Sequence, residues 1–145
     1  MEIIYNLRND PESIRSMQHA SLDDGPTGLR PTHTLVGSAA WWLAIESGDL
    51  PLQSVAGVVS GFWPGQSGSG PAEFELQQPN GEKTIWLCGI EPIAAERLFQ
   101  KGRGVMVQFV IQQLKTPFEG RSETELTISI SLAQTATAAA NSPLA

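Results

Sequence analysis

The sequence predicts a mainly β protein with some helix: a small five-stranded antiparallel barrel preceded by a helical cap. Three observations point there. The chain has 145 residues, 41% of them hydrophobic, which is material for one core and a squeeze for two. From Ser54 to Ala133 most apolar residues recur in strand-like order. Between two of those runs stands Asn80-Gly81, a strong hairpin signal, because both central residues of a type I′ turn need positive φ.

The elements follow in order. Ile3-Ile4-Tyr5 is a short strand. Asp10 is placed as an N-cap and Pro11 as the first helical residue, opening a helix to about Ala20 whose apolar stripe is only Ile14 and Met17. Asp23-Asp24-Gly25-Pro26 and Gly28 mark a loop that continues past Pro31. Ser38 caps a second helix, with Trp41, Trp42 and Ile45 on one face and Gly48 to end it. Ser54 to Trp63 is a β-run interrupted by Gly57 and Gly61. Glu73 to Gln77 alternates, with Phe74 and Leu76 on one side. The return strand, about Lys83 to Cys88, puts Ile85 and Leu87 on one face and Trp86 on the other.

A helix from about Pro92 to Lys101 comes next, then a strand from Val105 to Leu114 and a loop from Lys115 to Ser122. In the last strand Leu126, Ile128, Ile130 and Leu132 should face inward, with Glu125, Thr127, Ser129 and Ser131 toward water. The tail, 134–145, is small and uncharged and has too little apolar bulk to repay its ordering entropy, so disorder is expected there. The expected organisation is one domain over 1–133, with 1–53 as the cap and 54–133 as the barrel.

The β-β-β-α-β-β order over Ser54 to Ala133 resembles that of the OB-fold, a five-stranded Greek-key barrel. Gly57 stands where an OB first strand bends, and Gly102 and Gly104 precede the fourth strand in the usual way. The resemblance implies that Trp41 and Trp42 plug one end of the barrel. It also implies a binding face on the second and third strands, framed by two loops. Phe62 and Trp63 lead into the first of these, the Gly/Ser segment 65–70, and Trp86 lies on the third strand. Lys115, Phe118 and Arg121 lie in the other loop. Aromatics beside cations suit single-stranded nucleic acid, since stacking contributes roughly 1–3 kcal/mol per base. Glu73 and Glu75 oppose that reading, because they would meet phosphate on the same face.

Charge narrows the function classes. Nine Lys and Arg stand against fifteen Asp and Glu, a net charge of −6, which disfavours a general grip on nucleic acid or an anionic membrane. The charge is uneven. From Arg97 to Arg121 five cations face Glu119 alone, a balance of +4, while the rest of the chain carries −10. Segment 65–70 lacks the Lys-Ser/Thr and the following helix of a phosphate loop. His19, Asp23, Asp24 and His33 have no defining metal spacing. The single cysteine, Cys88, ends an apolar strand and reads as a small buried hydrophobe. With no basic, apolar leader and no long apolar run, the expected place is the cytoplasm.

No catalytic residue, metal ligand or cofactor is therefore predicted. The expectation is a non-enzymatic interaction module whose partner is another protein or a second copy of itself, met through an edge strand and the Phe62/Trp63 loop. Single-stranded oligonucleotide binding through Trp63, Trp86, Lys115, Phe118 and Arg121 is the alternative. A small-molecule-binding barrel comes third.

Overall fold

A computed structural model describes residues 1–31, 34–65 and 71–134. His33, most of the Gly/Ser segment (66–70) and the expected disordered tail beyond 134 lie outside the described residues. In chain order the elements are β1 (Glu2–Asn6), a 3-10 turn (Leu7–Asn9), α1 (Pro11–Leu22), α2 (Ala39–Ser47), β2 (Gln53–Trp63), β3 (Glu73–Gln77), β4 (Lys83–Leu87), α3 (Pro92–Leu98), β5 (Gly104–Phe118) and β6 (Arg121–Leu132).

The barrel does not form. The six strands make an open antiparallel sheet in the order β1-β6-β5-β2-β3-β4, with β1 and β4 left as edges. An OB-fold needs five strands closed on themselves; here the short N-terminal strand joins the sheet as a sixth and becomes one edge. Gly57 has a different duty from the expected barrel bend. A Cβ there would collide with the Gln77 carbonyl, so glycine lets β2 approach the backbone at the end of β3. Trp41 and Trp42 consequently have no barrel to plug.

The chain divides into two compact units. Of the described residues, the first unit comprises those of Met1–Tyr5, of Ser54–Val107 and of 129–134, and the second those of Asn6–Gln53 and of Gln108–Ile128. Both long strands, β5 and β6, thus contribute residues to each unit.

In the first unit the β3–β4 hairpin forms around Asn80-Gly81 but not as the expected type I′ turn. Only Gly81 has positive φ (92°), its N–H donates to the Gln78 carbonyl at 2.9 Å, and the Asn80 side chain accepts the Glu82 N–H, so the connection is a longer loop over 78–82. Register fixes what faces where. Phe62, Phe74 and Trp86 are directly opposed across β2, β3 and β4, so their side chains share a face. That face is covered: Phe74 is fully buried and stacks on Phe99, just past α3, with ring centroids 4.5 Å apart. Leu76, Cys88, Ala95, Val105 and Val107 complete this core. Ser129 and Ser131 on β6, expected in water, are buried together with Ile128, Ile130 and Leu132, so both faces of this end of β6 are covered. Arg103 braces the unit by donating to the Ala133 and Leu98 carbonyls at 2.7 and 2.9 Å.

In the second unit the predicted helices appear with their caps. Asp10 accepts the Ser13 N–H, and Ser38 accepts the Trp41 N–H. Gly48 ends α2 in the left-handed conformation. The expected 115–122 loop is instead strand on both sides of a tight turn. Glu119 (φ 50°) and Gly120 (φ 79°) supply the two positive φ values of a two-residue hairpin, which lets β5 run to Phe118 and β6 start at Arg121. Sequence reading missed it because Glu-Gly is a weaker turn signal than Asn-Gly.

Trp41 is fully buried, and its indole N–H donates to the Gln112 side-chain oxygen at 2.7 Å. Gln112 is itself buried, so each group satisfies the other. Trp41→Phe should cost about 1–3 kcal/mol in urea unfolding, since it leaves the amide oxygen dry and unpaired. Gln112→Leu should cost a similar amount. The double variant should be more stable than the two losses together imply; simple additivity would show that the hydrogen bond contributes nothing.

Candidate protein-docking surfaces

The two faces of the β2–β3–β4 sheet are chemically opposite because side chains alternate along a strand. With Phe74 and Leu76 inward, Glu73, Glu75 and Gln77 must point outward. Pairing then fixes their neighbours in three rows: Val58–Gln77–Lys83, Gly61–Glu75–Ile85 and Trp63–Glu73–Leu87. Four large apolar residues of this outer face are exposed: Val58 by 42%, Trp63 by 46%, Ile85 by 50% and Leu87 by 51%. They flank a central column that begins with two carboxylates.

The geometry is held in place locally. A Cβ at Gly61 would lie 3.0 Å from Trp63 Cη2, so the indole lies back over the glycine, beside the row of Glu75. A one-residue register shift between Val59 and Gly61 leaves Ser60 unpaired in the ladder. Its hydroxyl donates to Glu75 Oε1 at 2.8 Å, and Lys83 Nζ lies 3.9 Å from the same oxygen. Glu73 is exposed and has no ion pair among the described residues. Its charge adds to burial in pushing the Cys88 thiol up to about 12.

The second unit carries a cleft of about 440 Å³ at the β5–β6 turn, lined by Pro26, Leu114, Pro117, Phe118, Arg121 and Glu123 among others. Phe118 is exposed at its rim. Lys115 does not line the cleft: its Nζ donates to the Ala20 and Asp23 carbonyls at 2.6 and 2.9 Å, closing the C-terminal end of α1. The Gly25 N–H and then the Lys115 ammonium hold the Asp23 carboxyl below its usual range. Arg121 donates to Glu125 at 2.9 Å and lowers that carboxyl in turn.

Of the six residues picked from the sequence, Phe62, Trp63 and Trp86 belong to the first unit and Lys115, Phe118 and Arg121 to the second. Phe62 shares the covered face with Trp86, which is buried and donates its indole N–H to Thr84 Oγ1. Trp63 lies on the opposite, open face. Phe118 and Arg121 line the cleft of the other unit, and Lys115 is bonded to α1. Of the cations that made the +4 segment, Arg103, Lys115 and Arg121 are all engaged within the chain. Val58, Ile85 and Leu87 were missed, although the sequence carries a signal: Ile85-Trp86-Leu87 is apolar in both strand phases, so one phase had to be covered and the other left open. Among the described residues no three His, Cys, Asp or Glu gather to hold a metal, and no helix is long and apolar enough to cross a membrane.

The described residues thus present an open sheet face that is both apolar and acidic. The chain belongs to the immunity protein RhsI2 family, whose model matches residues 1–133. No curated protein matches it. Membership makes this a non-enzymatic chain with a protein-binding role.

Two outcomes test this local chemistry. At pH 8 a thiol reagent should leave native Cys88 unmodified and label it fully on unfolding, since at a pKa of about 12 almost no thiolate exists. Lys115→Met should lose about 1–2 kcal/mol in urea at pH 7, because two helix-end carbonyls lose their donor. A carboxyl lowered in the folded state adds stability that is complete above its ordinary value of 3.8 and fades as pH falls through the folded value. Lys115→Met should therefore show a shallower loss of stability on acidification than the parent chain, and an equal slope would place the effect elsewhere.

Proposed function

We propose that this chain is an immunity protein that silences a toxin protein by binding it and covering a surface the toxin needs. The observation that carries the reading is the family match over residues 1–133, which spans both compact units rather than a fragment of either. The open face of the first unit supports it. Exposed Trp63 on β2 and exposed Ile85 and Leu87 on β4 flank the Glu73/Glu75 column, giving apolar surface of the kind proteins bury against one another. Inhibition by covering consumes one immunity molecule per toxin, because nothing in the mechanism turns over.

Each toxin domain encoded in the source genome is expressed in a sensitive host, with and without the chain. Growth should recover with one of them, and the purified pair should form an equimolar complex. Titrating the chain into that toxin's activity assay should give a linear loss that ends at equivalence. A few chains silencing many toxin molecules would overturn inhibition by covering, and no rescue by any domain would overturn the immunity role.

A further inference from the structure

We infer that the outer face of β2–β3–β4 is the docking surface and that it takes an arginine-bearing, otherwise apolar patch of the partner protein. The inference rests on the immunity reading and adds to it a place and a chemistry. Charge and shape carry it. Glu73 offers an exposed carboxylate with no ion pair among the described residues, in the same row as Trp63 and Leu87. One row along, Ser60 holds Glu75 by Oε1, which keeps that carboxylate oriented.

The Trp63 ring, laid over Gly61, forms a flat plate beside these carboxylates. A guanidinium satisfies both at once, because its planar fork bonds a carboxylate while its face stacks on an aromatic ring. An ammonium lacks the planar face, and a phosphate chain would be repelled. Ile85 and Leu87, on the sheet edge, give the apolar part of the partner a place to bury. A second copy of this chain is a poor occupant, since two copies would set like carboxylates against each other and each chain carries a net −6.

The variants are Glu73→Gln, the pair Glu73→Gln/Glu75→Gln, Trp63→Ala and Ile85→Ser/Leu87→Ser. Ile93→Ser, on the exposed side of α3, is the control. Folding of each is checked by thermal melting, and the two glutamine variants preserve shape, so a misfolded Trp63→Ala does not decide the matter. The probe is the toxin domain against which the chain protects. If none is found, it is the peptide acetyl-Val-Arg-Val-Arg-Val-amide, with its citrulline counterpart as the neutral control.

Each surface variant should weaken binding at least tenfold and the control less than twofold. Raising salt should weaken the parent chain more than the double glutamine variant. Citrulline in place of arginine should abolish peptide binding. Protection with unchanged toxin affinity in all surface variants would overturn this surface and leave the immunity role standing. Failure of both toxin panel and peptide would overturn both. A dimer of the free chain at micromolar concentration that the Ile85→Ser/Leu87→Ser change dissolves would show that a second copy occupies the face.

Discussion

Phe74 stacked on Phe99 is the contact on which the first unit turns. Burying that ring sets the phase of β3, and in a strand the phase leaves no freedom: a slip of one residue would send Phe74 and Leu76 into water and drag Glu73 and Glu75 into the core. The cost of burying two carboxylates without adequate partners exceeds any gain from alternative pairing. β3 transmits its phase sideways through register, so Phe62 and Trp86 go inward with Phe74, while Trp63 and Leu87 go outward with Glu73. The composition of the open face is thus a consequence of core packing on the other side.

The second unit solves a different problem with the same economy of groups. A helix as weakly apolar as α1 has no fully buried residue and cannot be held by its stripe alone. It is held by hydrogen bonds along its C-terminal half. Lys115 reaches from β5 to the carbonyls of Ala20 and Asp23, and the Gln18 amide donates to the Val36 carbonyl at 2.8 Å. On the other helix, Arg8 stacks 4.0 Å from the Trp42 ring centroid and pairs with Glu46 at 2.9 Å. Cations here brace the fold. A balance of +4 along a stretch of sequence therefore says little about a positive surface, because charge counts ignore which groups are already spent.

What the sequence makes legible is local. Caps at Asp10 and Ser38, the stop at Gly48 and the Asn80-Gly81 hairpin depend on neighbours a few residues away, and all are present. The alternation that buries Phe74 and Leu76 is equally local. Closure of the sheet is not. Whether β1 adds at one edge, and whether β4 at the other meets a closing partner, depends on contacts between segments distant along the chain, for which strand order along the chain gives no constraint. The candidate site divides on the same line. Trp63 was legible as a residue at the mouth of a loop. Its neighbours Ile85 and Leu87 became visible only once Trp86 was known to be the buried member of its run.

The carboxylates of β3 change meaning with the fold. On an OB-type face built for phosphate they are an obstacle; on an open sheet beside an indole they are the part that can discriminate. Apolar area alone gives affinity without selectivity, since Ile85 and Leu87 would accept many greasy partners. A carboxylate that is desolvated only by a partner supplying a guanidinium penalises every partner that does not. Placing that pair on strands also matters. Backbone ladders fix Glu73 and Trp63 relative to each other before any partner arrives, so little ordering entropy is lost on binding. For the docking proposed on this face, a rigid sheet with a few demanding charges serves selectivity better than a larger and more adaptable apolar loop would.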